Sequence, residues 1–271
     1  MPELPEVETT RRGIAPPLLG RRVSQVIVRE PRLRYPVDAG LSGLLQGLRL
    51  EKVDRRAKYL LLDFAQGALL LHLGMSGSLR VLPATTLPEK HDHLDLVFDE
   101  IALRLRDPRR FGAALWVPGQ VDTHPLLAHL GPEPLSDTFD GTYLYAVTRG
   151  RSAPIKLFIM DAAQVVGVGN IYASESLFRA AILPRTPAGR LSRPRCERLA
   201  ATIKETLTDA LAAGGSTLRD FLHSDGKPGY FQQQYAVYGR DGLTCPRCGG
   251  IVRRSVMGQR ATFYCPGCQK P

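Results

Sequence analysis

The chain is poor in the features that would send it out of the cell or into a membrane. Its apolar stretches around Leu60 and Leu70 are broken by Asp63, Gln66 and His72, so none approaches the roughly 18 residues that a membrane span requires. Glu3, Glu6 and Glu8 stand where an export signal needs positive charge, and no apolar segment follows them. Five cysteines in 271 residues, four of them crowded into the last 27, do not make a disulfide framework. There is one tryptophan, and acidic residues are the minority, 26 Asp plus Glu against 36 Lys plus Arg. The expectation is a cytoplasmic protein with an ordinary globular core and no membrane partner.

What is present is basic and turn-rich. The net charge of +10 points to a polyanionic partner. Half of that excess lies beyond Tyr238, where Arg240, Arg247, Arg253, Arg254, Arg260 and Lys270 face Asp241 alone. With 26 Gly and 21 Pro, many turns and a sizeable β component follow.

The pattern divides the chain into three segments, 1–130, 131–237 and 238–271. A helix from Glu3 to about Leu19 opens the first, with prolines at its start and Val7, Ile14 and Leu18 on one face; Pro16 and Pro17 argue against its last turn. From Arg22 to Val117 the period becomes 2, with hairpin turns expected at Gln66-Gly67 and Asp99-Glu100, which predicts an antiparallel sandwich or barrel. Gly131-Pro132-Glu133-Pro134 reads as a linker. The second segment is helical near Asp137–Thr148, Pro154–Asp161, Asn170–Ala181 and Arg193–Ala213, and the stretch from Ser224 to Gly229 reads as a loop. The class is α+β, multidomain.

The strongest chemical signal is Cys245-x-x-Cys248 followed, after sixteen intervening residues, by Cys265-x-x-Cys268. This is the spacing of a four-thiolate zinc site, in which each pair aims two sulfurs at one ion and no coordination position remains for catalysis. Cys196 stands apart and reads as packing. Gly167-Val168-Gly169-Asn170 opens a helix, where backbone amides and the dipole favour a phosphate. Asp107-Pro108-Arg109-Arg110-Phe111-Gly112 sets two guanidiniums beside an aromatic, a combination that reads as a wedge for a base step; Met75 between glycines is a second candidate. Met1 precedes Pro2, a small residue that normally permits removal of the initiator. A free α-amine titrates near pH 8, whereas a lysine needs its pKa lowered by about 2.5 units to match. Pro2 nitrogen is then a ready nucleophile, with Glu3 beside it to deliver a proton.

Taken together, Pro2-Glu3-Leu4-Pro5-Glu6-Val7-Glu8-Thr9, Arg56-Ala57-Lys58-Tyr59-Leu60, His72 to Gly77, Lys90-His91-Asp92-His93, Asp107 to Gly112, Val165 to Glu175 and Gly258 to Cys265 closely resemble the bacterial formamidopyrimidine-DNA glycosylases, from Pro2 to Gln269. The resemblance implies an N-terminal β-sandwich with a leading helix, a helix–two-turn–helix domain and a β-hairpin zinc finger. It also implies excision of oxidised purines from damaged double-stranded DNA by a monomer with one structural Zn²⁺ and no small-molecule cofactor. On that basis Pro2 attacks the sugar C1′, Glu3 is the general acid, Lys58 serves β-elimination and Arg260 serves δ-elimination. Met75, Arg109 and Phe111 fill the space left by the everted base, and Arg109 meets the opposite cytosine. His91, Arg151, Asn170, Tyr238 and Arg260 grip phosphates, Lys156 approaches the lesion pocket, and the loop from Ser224 to Tyr230 closes over the lesion. Two other readings stay open from sequence. An endonuclease VIII-type enzyme for oxidised pyrimidines shares Pro2-Glu3 but typically carries Gly at the position of Leu4 and lacks the Met75, Arg109, Phe111 combination. A zinc-ribbon binder of distorted DNA would not need an exposed Pro2 amine.

Overall fold

The structure, a computed structural model, describes residues 2–215 and 234–271. They form two compact units, one of residues 2–128 with Gly214 and Gly215, the other of residues 129–213 with 234–271.

The first unit begins with α1 (Leu4–Leu18), whose N-cap Glu3 is extended and shares a capping box with Glu6. The helix runs through Pro16 and Pro17. The Leu19 N–H still bonds the Ala15 carbonyl at 3.0 Å, so the last turn closes although both prolines lack a donor. Eight strands follow: β1 (Gln25–Val28), β2 (Leu50–Arg56), β3 (Tyr59–Phe64), β4 (Gly67–His72), β5 (Ser78–Pro83), β6 (Asp92–Phe98), β7 (Ile101–Arg106) and β8 (Ala113–Pro118). They build two four-stranded sheets, β1-β6-β7-β5 and β2-β3-β4-β8. Every pairing is antiparallel.

Alternation sets which side chains meet. Leu60, Leu62 and Phe64 of β3, Leu69 and Leu71 of β4, Leu94, Leu96 and Phe98 of β6, and Leu103 and Leu105 of β7 share one core with Val7, Ile14 and Leu18 of α1. The β3–β4 turn falls at Ala65-Gln66, with Phe64 paired to Gly67, one residue before the Gln66-Gly67 expected from sequence. Asp99-Glu100 does turn between β6 and β7. A short helix, α2 (Leu41–Leu45), interrupts what the pattern predicts as continuous β structure; its two buried leucines give no period that short runs of strand would not also give.

The polar residues that alternate with this core are also buried. Arg104 and Asp95, cross-strand partners on β7 and β6, are each 2% exposed. Both Arg104 Nε and Nη2 donate to Asp95, at 2.9 and 2.8 Å, while Nη1 reaches Asp92 at 3.5 Å and the Leu87 carbonyl at 3.2 Å. Arg29 joins Asp95 at 2.7 Å and Arg80 joins Asp92 at 3.1 Å. Burial pushes Asp95 up, but hydrogen bonds and charge from Arg29 and Arg104 outweigh it and hold its carboxyl below the ordinary range.

The second unit packs α3 (Gly141–Thr148), α4 (Ile155–Ile159), α5 (Asn170–Arg179) and α6 (Arg193–Ala212), all close to the expected spans. Asp140 caps α3 by accepting from the Tyr143 N–H at 2.7 Å. The antiparallel hairpin β9 (Arg253–Met257) and β10 (Arg260–Tyr264) completes the unit. Phe178 of α5 shares a small core with Val237, Cys245, Val252, Phe263 and Cys265, so the cysteine-bearing hairpin packs directly on α5. Among the described residues, no helix is long and apolar enough to cross a membrane.

Replacing Arg104 by Met would take from Asp95 its bidentate partner and leave the two buried aspartates with Arg29 and Arg80 alone, a loss of about 3 kcal/mol, the low end for a broken buried pair. Urea denaturation should show a lower midpoint for Arg104→Met with an unchanged slope.

Candidate functional site

In the first unit, Pro2 and Glu3 are buried at the start of α1. The Glu3 N–H donates to Glu6 Oε2 at 2.8 Å, and Glu6 is itself fully buried. A chain end would ordinarily fray; here the first helical turn is tied to its own cap.

Lys58 sits in the two-residue turn Ala57-Lys58 that joins β2 to β3. Ala57 adopts φ +55°, a left-handed conformation that a side chain makes costly. The turn is tied back to α1 through Glu8. Arg55 Nε donates to Glu8 at 3.1 Å while Arg55 Nη1 donates to the Ala57 carbonyl at 2.8 Å. Arg11 grips both Glu8 oxygens, at 3.0 and 2.8 Å, and Arg12 adds a bond at 2.9 Å. Burial pushes Glu8 up, but hydrogen bonds from Arg11, Arg12 and Arg55 and the Arg11 charge bring its pKa down to about 2. Beside this turn, Tyr59 packs on the His72 ring at 4.8 Å. Burial, reinforced by the charges of Lys58 and Arg34, pushes His72 down to about 4. Its Nδ1 accepts the Gly74 N–H at 2.9 Å, so the neutral ring carries its proton on Nε2.

Met75, Arg109 and Phe111, distant in sequence, come together. Gly74 has φ +62°, and a Cβ there would lie 2.4 Å from the Phe111 carbonyl carbon. The loop carrying Met75 is therefore pressed against the loop carrying Arg109 and Phe111. Met75 is 40% and Phe111 44% exposed, large apolar side chains facing solvent in a pair. The Arg109 guanidinium stacks 4.8 Å from the Phe111 ring centroid. His91, at φ +75°, has its carbonyl bonded by the Asp107 N–H at 3.0 Å, which ties its loop to the same region.

In the second unit, Arg260 opens β10 and is exposed. The turn before it, Gly258-Gln259, has both residues at positive φ, +52° and +61°. A Cβ on Gly258 would meet Leu157 at 2.9 Å, so this glycine lets the hairpin tip close on α4. Asn170 Nδ2 donates to the Ala261 carbonyl at 3.0 Å, joining the start of α5 to the strand of Arg260. Lys156 is fully buried, and Nζ donates to Asn170 Oδ1, Thr262 Oγ1 and the Ala261 carbonyl at 2.6, 2.6 and 3.1 Å. These bonds tie Lys156 to Asn170 and to β10.

Arg151 is exposed at a turn whose backbone is held by the Gly189 N–H at 2.8 Å. Its neighbour Arg149 spends its guanidinium on the carbonyls of Tyr145, Gly189 and Leu191. Tyr238 is half-buried, edge-on to Tyr235 at 5.6 Å and to Phe263 at 5.1 Å. Glu175, buried in α5, accepts the N–H groups of Ala236, Val237 and Tyr238 at 3.0, 3.0 and 2.8 Å. Burial pushes its pKa up, and those three donors with Arg179 pull against the rise. Sequence reasoning did not single out Glu175, Glu8 or Arg55 as fixing Tyr238 and Lys58. The signal available for Glu175 is that it is the one acid of α5, lying between Tyr172 and Phe178.

The four clustered cysteines bring their sulfurs within 4.8 Å of one another. Cys245 and Cys268 sulfurs are 3.8 Å apart and those of Cys248 and Cys265 are 3.5 Å apart. A tetrahedron of thiolates at about 2.3 Å from zinc has edges of about 3.8 Å, so the donor set and its spacing fit that ion. The loop expected from Ser224 to Tyr230 lies outside the described residues.

The chain is similar in sequence and fold to known proteins. The model of the formamidopyrimidine-DNA glycosylase N-terminal domain matches residues 1–114, that of the formamidopyrimidine-DNA glycosylase H2TH domain residues 130–222, and that of the zinc finger found in FPG and IleRS residues 242–271. Formamidopyrimidine-DNA glycosylases of Laribacter hongkongensis and Stenotrophomonas maltophilia are each 59% identical, with all of both chains covered. Among solved structures, the MutM (Fpg) protein of Thermus thermophilus is 43% identical with a TM-score of 0.89, over 99% of this chain and 98% of that one. The Lactococcus lactis protein in complex with abasic-site DNA is 32% identical with a TM-score of 0.92, over 99% of this chain and 100% of that one.

Two outcomes are expected. Glu8 has a folded pKa near 2 against an ordinary 4.5, so its contribution is complete above about pH 4.5 and is lost as the pH falls toward 2. Glu8→Gln should be destabilised by roughly 2 kcal/mol at pH 7, and unfolding measured against pH should show the gap to the parent closing in that acid window. A chelator strong enough to strip thiolate-bound zinc should lower the thermal midpoint through the core around Phe178, with re-addition of Zn²⁺ restoring it.

Proposed function

The chain belongs to the formamidopyrimidine-DNA glycosylase family, and from that premise we propose that the Pro2 nitrogen is its nucleophile and Glu3 the acid that serves it. The protein is a base-excision glycosylase and abasic-site lyase for oxidised purines in damaged DNA, and its four clustered cysteines hold one structural zinc. The observation that most supports the residue assignment is the burial of Pro2 and Glu3 together at the capped start of α1. Held there, the Pro2 nitrogen, which becomes an amine when Met1 is removed, and the Glu3 carboxyl have little conformational entropy left to lose.

In this reading the Pro2 lone pair forms a bond to C1′ as the C1′–N bond to the damaged base breaks, and Glu3 supplies the proton that the opening sugar or departing base needs. The nitrogen then gives up its proton as the C1′–O4′ bond breaks with protonation of O4′, leaving an iminium ion between Pro2 and the opened sugar. Loss of a C2′ proton then expels the 3′ phosphate, with Lys58 as the cation serving this step, and a second elimination with Arg260 expels the 5′ phosphate. Cations suit departing phosphates because charge develops on the leaving oxygens. His91, Arg151, Asn170 and Tyr238 serve as phosphate contacts. Met75, Arg109 and Phe111 take the place of the everted nucleotide, whose extrusion is the only route to C1′ chemistry inside a duplex. The zinc adds no chemistry; its four cysteines would stiffen the base of the hairpin that carries Arg260.

We assign function to the segments 1–130, 131–237 and 238–271 in that order: chemistry, DNA grip and hairpin support. The enzyme works as a monomer in the bacterial cytoplasm, where its DNA lies.

Borohydride trapping on an 8-oxoguanine·cytosine duplex should give a covalent adduct, and mass spectrometry should locate it on Pro2. Glu3→Gln should cut base release by about 10²–10⁴ while still binding the duplex. Unchanged excision by Glu3→Gln would remove the general-acid assignment.

A further inference from the structure

Asp107 directly follows β7 with no exposed surface, and its side chain is shared between two loops. Oδ1 accepts the Ser76 hydroxyl at 3.1 Å and the Arg109 N–H at 3.3 Å; Oδ2 accepts the Gly112 N–H at 2.7 Å. Its backbone carbonyl accepts from His93 Nε2 at 2.8 Å and from the Arg110 N–H at 3.2 Å. Ser76, 2% exposed, follows Met75 directly, so one carboxylate oxygen binds both the neighbour of Met75 and the backbone of Arg109. The bond spans 31 residues of sequence and joins the two loops between the ladder ends that flank them, His72 with Ala113 and Ser78 with Arg106.

We propose that Asp107 is a positioning residue that locks the Met75 loop to the Arg109–Phe111 loop through Ser76, so that three side chains enter DNA as one rigid wedge. The inference rests on the reading of Met75, Arg109 and Phe111 as the groups that replace the everted nucleotide. Two loops that inserted separately would each be ordered at the moment of entry, at an entropic cost that a shared buried anchor removes beforehand. The lock has a consequence for specificity as well. Because Ser76 and the Arg109 N–H use the same oxygen, loosening the Met75 loop also loosens the residue that faces the opposite base. Discrimination at that base therefore depends on a serine that never touches it.

The test is a double-mutant cycle with Ser76→Ala and Met75→Ala, on 8-oxoguanine duplexes carrying 2-aminopurine beside the lesion. Stopped-flow fluorescence reads wedge entry. Ser76→Ala removes one oxygen and leaves the other Asp107 bonds in place. It should slow the fluorescence rise roughly tenfold, the scale of a lost hydrogen bond to a charged group, and narrow the preference for opposite cytosine. In the Met75→Ala background, adding Ser76→Ala should slow entry much less, because the lock then has less to position. Trapping on abasic single-stranded DNA, which has no opposite base to displace, checks that the Pro2 site is intact in Ser76→Ala. The expected result is thus a fall in the duplex-to-single-strand rate ratio. A normal ratio and normal entry in Ser76→Ala would overturn the lock, and so would strictly additive effects in the cycle. Absence of any adduct with the parent protein would instead overturn the functional reading and the lock with it. Asp107→Asn, which keeps the shape but sets an amide against the Gly112 N–H, should reproduce the slow entry.

Discussion

Carboxylates are costly to bury unless their oxygens are met by donors, and this chain buries several of them against backbone N–H groups at the places where its functional segments begin. Glu6 takes the N–H of Glu3 at the start of α1, Asp107 takes those of Arg109 and Gly112, and Glu175 takes three in a row from Ala236 to Tyr238. In each case the exposed or reactive side chain lies on a neighbouring residue, while the burial that fixes it lies underneath. The arrangement separates two demands. The sandwich and the helices supply rigidity, and the loops carry chemistry without having to supply their own core.

Charge is divided in a similar way. Arg104, Arg29 and Arg80 neutralise buried aspartates, Arg11, Arg12 and Arg55 converge on Glu8, and Arg149 is occupied by main-chain carbonyls. These arginines shape the molecule. Arg109, Arg151, Arg253, Arg254 and Arg260 are exposed, and they give the basic composition its meaning for a polyanion. Composition alone cannot divide arginines between these roles, because the division depends on which carboxylate or carbonyl the fold brings near.

That limit explains what is legible in the sequence. The cysteine spacing, the period-2 leucines of β3, β4, β6 and β7, and the long helices α1 and α6 rest on local patterns, which place them to within a few residues. The β3–β4 turn falls one residue early because Gly67 pairs within the sheet although its type suggests a turn. The burial of Lys156 is not legible in the sequence, because only the fold brings Asn170, Ala261 and Thr262 to its amine. Glu8, Asp107 and Glu175 belong to motifs that the sequence makes visible. Their partners Arg55, Ser76 and Val237 lie 47, 31 and 62 residues away, and spacing carries no signal at that range.

The turn at Ala57 shows how such a site can gain stiffness from a residue that fits its backbone poorly. Glycine would adopt φ +55° without strain, whereas alanine gives up about 1 kcal/mol to do so. Alanine also has fewer conformations to lose when the unfolded chain orders, which offsets part of that strain. The Arg55 bond to its carbonyl holds the unfavourable state in place. A glycine turn would leave the backbone beneath Lys58 free to sample both halves of the φ range. With alanine, the alternatives to the native turn lie in a different basin, so Lys58 is carried on a base that does not move.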